Sequence, residues 1–512
     1  MRRRPAPAVS ARDGGWPRLR SALAATLKAA LVLALALVPA GPANAARPSP
    51  TLRLTPVKVS IDRADPGKAV PQGFLGLSFE LSNLRQIAGY ADDGDLVTLL
   101  RSLGPGVLRF GGGSADTRVA WTDAATRRPA WASSVIDPED LRELDVLAAR
   151  SGWRILLTIG LAHFEPEAAA REAAAAKAAL GASLEGIELG NEPNAFAQHG
   201  LREEPWTFVQ YDANVSIYRS AIEALAPGIP LVGPDTSGSA AFESWGLGEA
   251  VDQRPALLTG HHYPLGCEQN PPPSIPRLLS PLIRRKEGAS LAHYMAVAEA
   301  GDIPFRLDET NTVSCGGQAG ISNTFASALW ATGFLAKAMG MGLAGINLHG
   351  NPANCAGYSP VCAPDPEDLN AGVLTAQPEW YALLLTRALI GDRPLPTTAS
   401  SSRNPNVEVR TFIAPDGTLQ VVIVDDDVPA ARPLAVAVHA GRVFQGASIL
   451  RLTGPLPQAL SGVLLGGRAV AADGSWTQPS KQPHAANKRG VITVEMTPGS
   501  AALLTVLRRA PE

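Results

Sequence analysis

The chain has 512 residues, 46% of them apolar, and carries 45 basic against 47 acidic side chains for a net charge of −2. That leaves room for a large core and suits two to four domains, although one barrel alone can take about 250 residues or more. A chain so nearly neutral has no global attraction for nucleic acid or for long sulfated polyanions.

Taken in chain order, residues 1–45 read as a signal peptide. Arg2, Arg3, Arg4, Arg12, Arg18, Arg20 and Lys28 form a basic head, residues 29–38 a compact apolar run, and Ala43-Asn44-Ala45 a small-x-small cleavage site. The run is short for a membrane span; the other reading is an uncleaved amphipathic anchor. Loss of seven basic residues and Asp13 leaves 467 residues with a charge of −8. The mature protein is expected to be secreted or periplasmic, with no membrane association.

Residues 53–61 alternate apolar and polar like a strand. Strand-like runs follow at 74–80, 106–110, 154–159, 186–190, 230–233, 258–263, 304–309 and 344–349. Helical patterns lie at 93–103, 138–151, 165–180, 206–225, 241–252, 275–300 and 323–341. Strands alternating with helices imply a parallel sheet, and eight repeats suggest a closed (β/α)8 TIM barrel. Beyond 395 no long helical period occurs. Strands are expected at 407–413, 419–425, 434–439, 447–452 and 491–496, with turns such as Pro415-Asp416-Gly417 between them. The expected division is a signal peptide (1–45), a segment lending a strand to the sandwich (46–70), a barrel (71–392) and a C-terminal all-β sandwich (393–512).

Cys267, Cys315, Cys355 and Cys362 all fall within 96 residues. Export makes disulfides reasonable, and three pairings are open. The favoured one has Cys355–Cys362 as a loop clip and Cys267–Cys315 as a tie between neighbouring loops. The spacings fit no compact zinc site.

Two segments carry the chemistry: Gly190-Asn191-Glu192-Pro193-Asn194 and Arg306-Leu307-Asp308-Glu309-Thr310-Asn311. Each ends an apolar strand with a glutamate, and a barrel gathers strand ends at one mouth. Two carboxyls facing one pocket can act as proton donor and nucleophile on a glycosidic bond. No metal or other cofactor is needed for that. His261-His262 invites a metal, but adjacent strand residues point to opposite faces. Gly111-Gly112-Gly113 lacks the dinucleotide-binding context, and no Gly-x-Ser-x-Gly elbow is present.

Six pieces occur in order: Phe74-Leu75-Gly76-Leu77-Ser78-Phe79-Glu80, Leu108-Arg109-Phe110-Gly111-Gly112-Gly113-Ser114-Ala115-Asp116, the segment from Gly186 to Phe196, His261-His262-Tyr263, the segment from Arg306 to Gly317, and Gly345-Ile346-Asn347-Leu348-His349-Gly350. Together they resemble the clan A retaining glycosidases and, more closely, glycoside hydrolase family 79, which holds β-glucuronidases and heparanase-like enzymes. The resemblance implies Glu192 as acid/base, Glu309 as nucleophile, Asn191 on the sugar 2-hydroxyl and Tyr263 on the nucleophile. It places Glu80, Ser114 and Asp116 toward the sugar, with Glu80 and Asp116 open to a second reading as partners of Arg109. His349 would face the pocket or sit as a core histidine. In relatives that bind glucuronate, a tyrosine and backbone amides hold the carboxylate. Ser314 stands at that tyrosine position, while Gly316, Gly317 and the hydroxyl of Tyr358 offer donors. The expected activity is a retaining β-glucuronidase acting on a carbohydrate or small glycoside. The alternatives are a β-glycosidase for a neutral sugar and a non-catalytic carbohydrate-binding protein.

Overall fold

The computed structural model describes residues 53–427, 429–479 and 483–508; the expected signal peptide lies outside them. Eight strands, β1 (Leu75–Glu80), β2 (Val107–Gly111), β3 (Arg154–Ile159), β4 (Leu184–Leu189), β5 (Leu231–Ser237), β6 (Leu257–His262), β7 (Phe305–Thr310) and β8 (Gly345–Gly350), pair in chain order. All pairs are parallel, and β8 returns to β1, closing a TIM barrel. Each expected strand falls on one of these. Parallel strands covered by helices on the outside are buried on both faces, which explains their near-continuous apolar runs.

The barrel interior is unusually polar at its centre. Arg306 Nε donates to Asn347 Oδ1 at 2.6 Å, and Asn347 Nδ2 donates to the carbonyls of Leu77 and Val107. A Cβ at Gly76 would stand 2.6 Å from Arg306 Nη2, so only glycine lets the guanidinium lie across β1. This layer plugs the lower barrel. Arg109 occupies the layer above it.

Local chemistry sets the helix ends. Asp137 caps Pro138–Ser151 by accepting from the Glu139 and Asp140 amides, and Gly152 closes the helix in a left-handed conformation. The helix expected at 275–300 is broken into Ile275–Leu278 and Pro281–Gly301. Pro281 disfavours helical backbone at the residue before it, and Ser280 caps the restart. A helix at Pro378–Thr386, following β8, was not expected from the sequence. It is buried on every side, so it shows no 3.6-residue polar period.

The C-terminal region forms two sheets. Thr55–Ile61 runs antiparallel to Thr397–Ser400 and parallel to Leu434–His439, with Val491–Met496 beyond. The larger sheet is ordered Arg393–Leu395, Val407–Ile413, Leu419–Asp425, Ser500–Arg508, Phe444–Thr453, Leu464–Leu465. Ser500–Arg508 also escaped the sequence reading: as a central strand it is apolar on both faces and does not alternate. Val57, Val436 and Val494 of the smaller sheet share a core with Val421, Leu504 and Val506 of the larger. The opposite face of the larger sheet supplies Val422, Val424 and Leu503 to the barrel's own core, beside helix Phe325–Met341. Among the described residues, no helix is long and apolar enough to cross a membrane.

Candidate active site

Arg109, fully buried on β2, organises the upper barrel. Its guanidinium reaches Glu309 Oε2 at 2.8 Å, Asp235 Oδ2 at 2.8 Å, Asp308 Oδ2 at 3.1 Å and Glu188 Oε2 at 3.2 Å, and donates to Asn191 Oδ1 at 2.9 Å. Asp308 and Glu309 are consecutive, yet both meet Arg109. Strand alternation would send one outward. The register of β7 against both neighbours breaks between Leu307 and the following residues, and that bulge turns both carboxyls inward. A matching bulge in β5 between Pro234 and Thr236 aims Asp235 inward, with φ at +55°.

Glu309 ends β7. Tyr263 donates to its Oε1 at 2.8 Å, and His349 Nδ1 stands 3.7 Å from its Oε2. Burial alone would raise its proton affinity. His349, His261 and Arg109 outweigh that, and with the Tyr263 hydroxyl they hold the carboxyl well below the usual range. Glu309 is therefore an ionised carboxylate. Glu192 follows β4 in a left-handed conformation, φ +52°, its N–H donating to the carbonyl of Asp235 at 3.0 Å. Its side chain is 25% exposed against 11% for Glu309, so it is the carboxyl that faces the opening.

One imidazole stands between them. His261 Nδ1 lies 3.0 Å from Glu192 Oε1 and 3.8 Å from Glu309 Oε1, while its Nε2 meets Asp235 Oδ1 at 2.5 Å. Burial would keep this ring neutral, but Asp235 and Glu309 raise its proton affinity well above the ordinary histidine value. His262 points the other way and stacks on Phe334. Asp235, His261 and Asp308 could together surround a metal ion. Arg109 already brings a cation against both carboxyls, so the donor set reads as an ion-pair network. Burial, with Asp235 and Glu188 nearby, pushes Asp308 well above its ordinary value, against the pull of Arg109 and His261. Burial and Asp235 likewise move Glu188 to about 6, against the pull of Arg109.

The remaining expected residues divide. Asn191, Tyr263, His349 and Tyr358 gather around the two glutamates. Tyr358 Oη lies 3.2 Å from Tyr263 Oη and accepts from Gly316 N at 3.3 Å. Ser114 N donates to Glu80 Oε2 at 2.8 Å, fixing that carboxylate at the end of β1, and Ser114 Oγ accepts from Ser82 N. Asp116 departs from the expectation that it faces the sugar or pairs with Arg109. It is 1% exposed, and its two oxygens accept from the amides of Leu161, Ala162 and Asn191, each at 2.7 Å. A carboxyl at that depth needs those donors, and it spends them locking the loops after β3 and β4 together. Ser314 is likewise occupied, its Oγ accepting from Cys267 N. Disulfides join Cys267 to Cys315 and Cys355 to Cys362, the pairing favoured from the sequence. They staple the loops that carry Gly316 and Tyr358. Glu188, Asp235 and Asp308 were not singled out from the sequence, though a charged residue inside an apolar strand run was a visible signal for Glu188 and Asp308.

No family model matches the chain. A β-glucuronidase from Neurospora crassa is 25% identical over 267 residues, 48% of this chain; the match spans only 44% of that relative's length. Among solved structures, a 4-O-α-L-rhamnosyl-β-D-glucuronidase from Fusarium oxysporum 12S superposes with a TM-score of 0.70 at 19% identity, covering 88% of this chain and all of that one. A family 51 arabinofuranosidase from Xanthomonas axonopodis pv. citri gives 0.62 at 13% identity, again over 88% of this chain and all of the other. These structural likenesses establish a shared fold.

Proposed function

We propose that the chain is a retaining β-glycoside hydrolase, and by its substrate a β-glucuronidase, with Glu309 as nucleophile and Glu192 as acid/base. The carrying observation is the single nitrogen, His261 Nδ1, at 3.0 Å from one carboxyl and 3.8 Å from the other. Those contacts laid end to end bound the gap between the two Oε1 atoms at about 7 Å, and any bend shortens it. That bound admits the roughly 5–5.5 Å that retention needs and only the short end of the roughly 6.5–9.5 Å of inversion.

In this reading Glu309, ionised and aimed by Arg109 and Tyr263, attacks the anomeric carbon. Glu192 passes its proton to the leaving oxygen, then takes one from the water that releases the sugar. Asn191 accepts from Arg109 through its Oδ1, leaving its amide N–H2 for the 2-hydroxyl. Glu80 and His349 line the sugar's other edge. The uronate reading is supported by the similarity to the Neurospora β-glucuronidase and the Fusarium rhamnosyl-glucuronidase and by the stapled wall of Tyr358, Gly316 and Gly317. Tyr358, from the loop after β8, would stand in for the tyrosine that Ser314 replaces. Barrel residues 71–392 would form the catalytic domain. The two disulfides suit an oxidising, secreted or periplasmic setting.

The test is a panel of chromogenic β-glycosides, with the anomer of the first-formed product read by NMR. Turnover of the glucuronide with release of the β-anomer is the expected result. Preference for a neutral glycoside would overturn the uronate assignment, and an inverted product would overturn the role of Glu309. Binding without turnover across the panel would leave a carbohydrate-binding protein.

A further inference from the structure

A buried histidine and a buried aspartate, His261 and Asp235, stand beside the two carboxyls of this scheme. We propose that Asp235 and His261 are positioning residues for Glu192: Asp235 anchors the far nitrogen of the imidazole, so that Nδ1–H is held on Glu192 Oε1 and stabilises the carboxylate that forms as Glu192 gives up its proton. This rests on the reading of Glu192 as acid/base.

The geometry is over-determined. Asp235 Oδ1 meets His261 Nε2 at 2.5 Å, its Oδ2 is pinned by Arg109 at 2.8 Å, and its own carbonyl accepts the Glu192 N–H at 3.0 Å. Asp235 thus reaches Glu192 twice, through a backbone hydrogen bond and through its ion-pair contact with the imidazole. The His261 carbonyl accepts from Tyr294 Oη at 2.5 Å, which fixes the ring's root. Asp235 is fully buried, His261 is 1% exposed, and Asp235 keeps a left-handed backbone that a non-glycine residue rarely adopts. The titratable groups facing the ring are Asp235 from β5, Glu192 after β4, and Glu309 and Asp308 from β7, with Arg109 beyond Asp235. Asp235 and Glu309 favour the charged form of the ring, against its burial.

The charge movements fit this placement. In the first step the Glu309–carbon bond forms, the carbon–oxygen bond to the aglycone breaks, and the proton of Glu192 leaves with the aglycone. One negative charge has then moved from Glu309 to Glu192. His261 Nδ1 lies within 3.8 Å of the charge before the step and 3.0 Å after it. The second step reverses the transfer, with water supplying the proton to Glu192 and the oxygen to the sugar.

The test compares the full-length chain with Asp235→Asn and His261→Gln on aryl and alkyl β-glycosides of graded leaving group. A weakened proton donor should lower kcat/KM on the order of 10²-fold for alkyl aglycones and under about tenfold for dinitrophenyl. It should also move the alkaline limb of the pH profile upward, because a weaker acid keeps its proton longer. Equal losses for all leaving groups with an unmoved limb would mean a merely structural role and would overturn the proposal. The ¹⁵N signals of His261 in wild type give a reading that needs neither a variant that folds nor turnover. Both nitrogens should remain protonated above the ordinary histidine value of about 6.5; a ring that loses its proton at or below that value would overturn the pairing. If no glycoside is turned over, the function reading falls, while the imidazole signature still decides the pairing.

Discussion

Two buried clusters of charge in this molecule have nearly the same inventory and different consequences. At the barrel mouth, Arg109 and His261 face Glu188, Asp235, Asp308 and Glu309. Between the barrel helices and the larger C-terminal sheet, Arg284 meets Asp426 at 2.9 Å and Glu408 at 3.4 Å, Lys337 lies 3.8 Å from Glu287, and Trp330 donates to Glu287 at 2.6 Å. In the second cluster burial dominates, and Glu287 and Asp426 are both pushed up to about 7. In the first, neighbouring carboxyls are driven apart: Glu309 far down, Asp308 far up. A shifted carboxyl is a weak sign of chemistry, because burial alone produces it. Carboxyls shifted in opposite directions at the open end of a barrel are a stronger one.

The largest expected effect is at Glu309. Replacing it by Gln should lower turnover on the order of 10⁴-fold or more while the chain stays folded by circular dichroism. Near wild-type rates would dissolve the distinction between the clusters. Glu192→Ala should cost about 10²–10⁴-fold on alkyl glycosides and much less on dinitrophenyl ones, read as the slope of rate against leaving-group acidity. Arg109→Lys leaves four carboxyls around a point charge of poorer geometry, and urea unfolding should show a loss of about 3–5 kcal/mol. Arg284→Lys, at a site 19% exposed, should cost less. The smallest effect is expected from Glu287→Gln, with turnover within about twofold of wild type. Folded Glu287 binds its proton more tightly than the unfolded chain does. Its stabilising contribution is therefore full below about pH 4.5 and is lost as pH rises through about 7. Melting temperatures of the Gln variant between those pH values should fall less steeply than those of wild type.

Much of this was legible in the sequence because it is local. Each barrel strand is an apolar run flanked by turn residues, and the two proposed catalytic glutamates lie just past the fourth strand and at the end of the seventh. The helix Pro138–Ser151 was readable to the residue because Asp137, Pro138 and Gly152 are short-range signals. Pro378–Thr386 and Ser500–Arg508 were missed for one shared reason. Elements buried on all sides lose the polar period that betrays them.

What the amino-acid order determined alone was the barrel and its eight strands, and it singled out the two glutamates proposed as the catalytic pair, since period and strand-end chemistry need no partner to be read. Tertiary structure decided the rest. The bulges that turn Asp235, Asp308 and Glu309 inward are properties of strand pairing across the barrel. Withdrawal of Asp116 onto three amides, and the arrival of Tyr358 from a different loop, depend on which chain ends meet. The spacing of Glu192, His261 and Glu309 arises from closure of the ring, which brings together side chains more than a hundred residues apart.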